Sequence, residues 1–293
     1  MSRLRTLLAL VRPSLLPGIW SNCLAGWWLG GGGNAEEMPF LFIGATLLYL
    51  GAAFTNDAFD AEHDRQHRRE RPIPAGGVTH DTVWRWGLAW LVAGTLLMFY
   101  IGQRSGIIAL TLVFLIVLYN TIHRLVIFSP VLNGLCRLGL YVLGASAAER
   151  GITGWALWCG LALAAYLTGV DFFAKWEASP RQANWWPGLL LAVPILMAVV
   201  MDADNYREPA LLLSAVLGLW CLKGLRQTFW TQERKVRSTV ASLLAGIVLV
   251  DWLATCPVAS VLEKAHYAPR ELSFGFIALF LATLVFQRFI PEG

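Results

Sequence analysis

Residues 39–77, from Pro39 to Gly77, read PFLFIGATLLYLGAAFTNDAFDAEHDRQHRRERPIPAGG. The first part is apolar for about the 20 residues that a helix needs to cross a bilayer. The second part turns into acids and arginines. A helix satisfies every backbone group within one segment, so the apolar part is read as a membrane span. If that helix runs on past Asn56, Asp57, Asp60 and Asp64 share an arc of about 60°, with Asn56 at its border. Like charges on one helix face repel, so a cation is expected to bridge them. Carboxylate oxygens together with substrate phosphates are the usual surroundings of Mg²⁺. The arginines just beyond, among them Arg68, Arg69 and Arg71, can grip phosphate oxygens with paired donors. Acids followed by arginines at a lipid boundary point to a lipid with a charged diphosphate head. The alternative is a solvated helix end, but charges this close to a membrane are costly and tend to be functional.

The rest of the chain has the same character. Of 293 residues, 57% are hydrophobic and 14% charged, and the mean hydropathy is +0.57. Soluble domains have about 25% charged residues, so an ordinary globular or disordered protein is excluded. Ten apolar stretches stand out, at 14–33, 39–61, 83–101, 106–122, 131–149, 153–174, 185–201, 209–223, 239–256 and 271–290. The stretches at 185–201 and 209–223 are the shortest, and one of them as a half-span would leave nine. Barrel strands would be shorter and would alternate. The expected architecture is an all-α, polytopic helix bundle of nine to ten transmembrane helices, one intramembrane domain over 1–293. The N-terminus lacks the pattern of a cleavable signal, because Arg3, Arg5 and Arg12 interrupt its short apolar run.

Placing the N-terminus in the cytoplasm puts seventeen of the 23 Lys and Arg residues inside and five outside, with Arg137 within a span. That bias is the positive-inside signature of a multi-pass protein of the cell (inner) membrane. It also accounts for the net charge of +4 without nucleic acid. Tryptophans near the span ends, such as Trp84, Trp155 and Trp230, suit an interfacial belt. The longer polar loops, near 62–82 and 224–238, fall on the cytoplasmic side, so chemistry is expected there. The five cysteines, Cys23, Cys136, Cys159, Cys221 and Cys256, lie in apolar stretches without a C-x-x-C spacing and read as reduced core residues. Gly30–Gly33 resemble a phosphate loop only in composition, and no nucleotide-binding or H-E-x-x-H motif occurs. His63 and His67, four apart, were weighed as transition-metal ligands with Asp64.

The pattern N-D-x-x-D-x-x-x-D followed by R-x-x-R-P-I resembles the first motif of the UbiA superfamily of intramembrane prenyltransferases. Asn56, Asp57, Asp60, Asp64, Arg68 or Arg69, Arg71 and Pro72 fall on it. Arg12-Pro13 resembles the family's opening. Tyr119-Asn-Thr-Ile-His123-Arg124 stands in place of a family Tyr-x-x-x-Lys, and Asn133 resembles an asparagine near the substrate. The resemblance covers about residues 10–290. It implies a Mg²⁺-dependent transfer of a prenyl group from a prenyl diphosphate to a lipophilic acceptor, within the membrane lipid. Asp57, Asp60, Asp64 and Asp171 are the implied metal-holding and catalytic residues. Asn56, Arg68, Arg71, Tyr119, His123, Asn133 and Lys175 are the implied substrate contacts.

The family's second acidic motif, D-x-x-x-D, is altered. Asp171 is present, but Lys175 stands four residues on. Lys175 is expected either to replace a metal charge at the diphosphate or to form a plain i,i+4 pair with Asp171, a contact worth about 0.3–0.5 kcal/mol. The ending Gly169-Val-Asp171-Phe-Phe-Ala-Lys175-Trp-Glu177 resembles the UbiA-like EboC branch, tied to secondary-metabolite clusters and export. Transport or binding of a lipophilic metabolite on the same scaffold, with altered or lost transfer chemistry, is therefore the second reading. Arg137 within a span is expensive unless paired or facing a wet cavity. Anion binding and pairing with Glu149 or Asp251 are both open, and Asp251 is read as structural.

Overall fold

The computed structural model describes residues 3–178, 185–201, 207–230, 235–256 and 270–289. The side chain of Glu177, and Arg181 as a whole, lie outside the described residues. The described chain is helical, without strands. The helices are α1 (Arg3–Val11), α2 (Leu16–Leu29), α3 (Met38–His67), α4 (His80–Ile101), α5 (Gln103–Ile122), α6 (Ser129–Ser146) and α7 (Gly154–Ala178). They continue with α8 (Pro187–Leu191), α9 (Val193–Met201), α10 (Arg207–Phe229), α11 (Val236–Thr255) and α12 (Arg270–Phe289).

Eight helical segments among the described residues are long and apolar enough to cross a membrane. The remaining two apolar stretches are α6 and the α8–α9 pair. The 18-residue α6 carries Asn133 and Arg137 on an otherwise apolar helix. The stretch at 185–201 is broken, with Ala192 between two short helices. Pro194 explains the break, since it cannot donate to the preceding turn and biases Val193 away from helical geometry.

Successive helices run up and down, so the ends of α3, α5 and α7 meet the starts of α2, α4 and α6 at one end of the bundle. Arg12 pairs with Asp57 there, Arg124 with Asp60, and Lys175 reaches the chain between α5 and α6. At the other end the glycine-rich loop after α2 folds against the α6–α7 turn, with Glu149 N–H donating to the Gly32 carbonyl at 2.9 Å. This leaves Gly30–Gly33 far from the acids, as the sequence implied.

The centre is built on α2, α6, α7 and α11, which pack on one another. Gly26 lies so close to the Tyr141 backbone, and Gly144 to the Cys23 carbonyl, that a Cβ at either would collide with main chain. Small residues at such crossings let helices approach where lipid offers no hydrophobic drive between them. Tyr141, Leu163, Tyr166, Ile247 and Phe276 fill the space around this crossing and are almost fully buried. Cys23, Cys136, Cys159 and Cys221 are free thiols, and Cys23, Cys159, Cys221 and Cys256 are buried.

Candidate active site

Helix α3 continues eleven residues past Asn56, to His67. The three aspartates therefore do share one helix face, and they turn into the protein. Asp57 is 4% exposed and Asp64 3%. A buried carboxylate without a partner costs several kcal/mol, so cations must come to it. They come from three places in the chain. Arg12, between α1 and α2, pairs with Asp57. Arg71, in the turn after α3, reaches the same oxygen at 3.4 Å. From the end of α5, Arg124 Nε donates to Asp60 Oδ1 at 2.6 Å, and its Nη2 lies 3.6 Å from Asp64 Oδ1.

Arg12 reaches Asp57 at a conformational cost. Its φ of 45° and ψ of 61° are left-handed, and among the described residues it alone adopts positive φ without being glycine. Such a residue persists only where its surroundings hold it. Here Tyr49 Oη donates to its carbonyl at 2.9 Å while Asp57 holds its guanidinium. Burial draws the pKa of Arg71 below its ordinary value, and neighbouring Arg12 adds to this against the pull of Asp57 and Asp64. Burial acts the same way on Arg124, but the hydrogen bond and charge of Asp60 outweigh it and hold the pKa above its usual value.

His123 completes this group. Its Nε2 lies 3.2 Å from Asp60 Oδ1 and its Nδ1 3.1 Å from the Asn120 carbonyl. Both ring nitrogens thus face oxygen atoms, of Asp60 and of the Asn120 main chain. Tyr119 stacks on His123 with ring centroids 5.2 Å apart. Asn56 donates to Asn120, which in turn donates to Thr55 Oγ1 at 2.9 Å, tying α3 to α5.

The second acid stands across a cavity from these groups. Asn133 on α6 donates to Asp171 Oδ2 on α7 at 2.6 Å. The cavity, about 250 Å³, is lined at this end by Arg12, Asn56, Tyr119, Asn120, Asn133 and Asp171. Along α3 it extends from Asn56 back to Leu48, a rise of about 12 Å. There it is walled by Ile19, Leu112, Ile116, Leu140 and Leu167. Arg137 also lines it and donates to Asn22 Oδ1 at 2.9 Å. Asn22, Ser21 and Tyr141 all donate to Asp251, which is fully buried. Arg137 is thus joined to Asp251 through Asn22, and Asp251 is structural, as expected.

Two of the expected residues lie apart from the cavity. Lys175 contacts neither Asp171 nor the cavity. Its ammonium donates to the carbonyls of Val126 and Ile127, both at 3.2 Å, and to Ser129 Oγ at 2.8 Å. Helix α7 ends beside the α5–α6 turn, so the lysine meets those carbonyls, while Asp171 is bonded to Asn133. Arg68 is exposed, because α3 ends there and the chain turns away. His63 and His67 stack on each other at the exposed rim, with centroids 4.1 Å apart. Arg12, Asn120 and Arg124 were absent from the expected set. The signals for them are an arginine before the first span's proline, an amide near the end of an apolar helix, and a cation following His123.

The cluster also bears on a metal. Asp57 Oδ2 and Asp64 Oδ1 are buried without a hydrogen-bond partner. Leaving such oxygens bare is costly, and hard anionic oxygens are what Mg²⁺ takes. Among the described residues no three His, Cys, Asp or Glu side chains converge into a protein-only metal cage. Mg²⁺ is commonly held by one or two carboxylates, with waters and substrate phosphates completing its shell.

Residues 14–178 match the UbiA prenyltransferase family. The chain is 32% identical over 262 residues to digeranylgeranylglyceryl phosphate synthase of Methanothrix thermoacetophila, covering 87% of this chain and 85% of that protein. Its fold is shared with a UbiA homologue from Archaeoglobus fulgidus solved with GPP and Mg²⁺, at a TM-score of 0.54, 12% identity, and coverage of 98% and 100% of the two chains. It is shared equally with the apo UbiA homologue from Aeropyrum pernix K1, at a TM-score of 0.54, 14% identity, and coverage of 95% and 98%.

Proposed function

The chain belongs to the UbiA prenyltransferase family, and from that premise we propose that it moves a prenyl group from a prenyl diphosphate to a lipophilic acceptor, with Mg²⁺, at the cytoplasmic face. The observation that carries this reading is two buried carboxylate oxygens without a hydrogen bond, Asp57 Oδ2 and Asp64 Oδ1, the latter facing Arg124 at 3.6 Å, on the helix whose Asn56 lines the cavity. Asp57, Asp60 and Asp64 on α3, with Asp171 on α7, would hold Mg²⁺, which supplies Lewis-acid stabilisation of a leaving diphosphate. Arg71, His123 and Arg124, now turned to the carboxylates, would share their donors with phosphate oxygens. Arg12 sits where it can do the same while anchoring Asp57. The apolar wall from Leu48 to Leu140 would take the start of the prenyl chain and keep water from its reactive carbon. In the transfer, the bond from that carbon to the diphosphate oxygen breaks and its electron pair leaves with the diphosphate, an electron pair of the acceptor forms the new bond to the carbon, and the proton the acceptor loses passes to the released diphosphate or to water. The relative's product makes a glyceryl phosphate lipid the first acceptor to assay.

The orientation rests on charge. With the N-terminus cytoplasmic, the arginines around the motif lie inside, as the positive-inside rule requires.

The test is diphosphate release from farnesyl and geranylgeranyl diphosphate by the detergent-purified protein, with and without Mg²⁺, beside Asp57→Asn and Asp60→Asn. Release that needs Mg²⁺ and falls by about 100-fold or more in either variant is expected, the scale of losing a key electrostatic group. Full activity in both variants would refute the reading. One observation favours a binding or transport protein instead: Lys175, at the second motif, is withdrawn from the site. Tight Mg²⁺-dependent binding, with no release whatever acceptor is supplied, would select that reading.

A further inference from the structure

Lys175 is joined to the acidic cluster through a short chain of contacts. Its Nζ holds the carbonyls of Val126 and Ile127 and the hydroxyl of Ser129. Ser129 Oγ in turn donates to the His123 carbonyl at 2.9 Å. His123 and Arg124 are the two residues of that turn that meet Asp60, and Arg124 also faces Asp64. Within the turn, Leu125 and Val126 donate to the Ile122 carbonyl and Ser129 N–H to the Val126 carbonyl, but these bonds are local and do not tie it to α7. Leu125, Ile127 and Phe128 are strongly exposed, so little apolar packing fixes its shape. A lysine at the end of α7 thus clamps the segment that presents His123 and Arg124 to the carboxylates of α3.

We infer that Lys175 is a positioning residue: by fixing the 126–129 turn it holds His123 and Arg124 against Asp60 and Asp64, and so sets the affinity of the site for a diphosphate. The inference rests on the diphosphate reading given above. In this chain the last turn of α7 contributes to the charge balance at a distance, through the backbone of a neighbouring turn. A flexible turn would leave His123 and Arg124 to solvent part of the time and would lose the donors already aligned for phosphate.

The experiment measures equilibrium binding of geranylgeranyl diphosphate with Mg²⁺ to the purified wild type, Lys175→Met, Lys175→Arg, Arg124→Ala and the Lys175→Met/Arg124→Ala double variant. Hydrogen exchange over residues 123–129 is followed in parallel. Lys175→Met is expected to weaken binding roughly 10-fold, the scale of one charge-assisted contact. Lys175→Arg should restore most of it, and exchange over 123–129 should rise in both variants that carry Lys175→Met but not in Lys175→Arg. Because Lys175 acts through Arg124 and its neighbour, the double variant should bind only slightly more weakly than Arg124→Ala. If Lys175→Met proves too unstable to assay, Ser129→Ala cuts the same link and takes its place. A wild type that binds while Lys175→Met binds equally well overturns the inference, as do penalties that simply add. A wild type that binds no diphosphate overturns the underlying reading of the site.

Discussion

Asp57 shows how far a single residue can be read. Its spacing from Asp60 and Asp64 predicts a shared helix face, because helical periodicity is local and α3 obeys it. Its partners do not follow from spacing. Arg12 arrives from 45 residues earlier and Arg71 from 14 residues later, and only the packing of α1, α3 and the following turn brings them together. Lys175 was misjudged for the same reason. Its sequence neighbour Asp171 suggested a pair, but its spatial neighbours are carbonyls 48 and 49 residues away. Asp251 is the buried acid whose role is most clearly structural. Replacing it with alanine strips an acceptor from Ser21, Asn22 and Tyr141 at once. Each orphaned buried donor costs about 1–3 kcal/mol. Asp251→Ala is therefore expected to lower stability by roughly 3 kcal/mol or more, seen as a fall in Tm of the detergent-solubilised protein. An unchanged Tm would show that the network carries no stability.

At the scale of elements, the apolar stretches were legible because each carries the simplest signal a sequence has. Their ends were less so. Helix α3 was expected to leave the membrane stretch near 61 but stays helical to His67, since nothing before Arg68 breaks it. The stretch at 185–201 gave its shortness away, and Pro194 places the break. Contacts between helices were not legible, and the glycines show why. Gly26 and Gly218 look alike in the sequence. Gly26 meets the Tyr141 backbone, whereas a Cβ at Gly218 would only touch Ile195 at an ordinary 3.7 Å. Gly26→Leu is expected to cost more than about 3 kcal/mol or to block folding, as overpacking against backbone does. Gly218→Ala, inside α10, is expected to be neutral or to stabilise by about 0.5–1 kcal/mol, because alanine favours the helix. Comparing the two variants' Tm values checks the pair, and equal tolerance at both positions would contradict the α2–α6 crossing.

At the scale of the whole molecule, the two halves of the site meet because successive spans alternate. Four spans separate Asp57 from Asp171, so both emerge at one end of the bundle. The same alternation governs the termini. Gln287, near the end of α12, donates to the Ala241 carbonyl, near the start of α11, so the last helix ends beside the start of the one before it. With α8 and α9 counted as one broken crossing, the start of α2 and the end of α12 lie on the motif side. Reporter fusions at residues 1 and 293 are expected to report cytoplasm at both ends. Opposite locations would mean that the α8–α9 pair does not cross.

The central claim is that the acids of α3 and the cavity beside them form one diphosphate-and-tail site. The most direct measurement is an experimental structure of the protein with Mg²⁺ and geranyl thiodiphosphate, a slowly cleaved donor analogue. The account expects metal density against Asp57 or Asp64, the diphosphate among Arg71, His123 and Arg124, and the prenyl carbons between Leu48 and Leu140. A diphosphate bound elsewhere, with the Arg12–Asp57 and Arg124–Asp60 pairs undisturbed and the cavity empty of the tail, would contradict it.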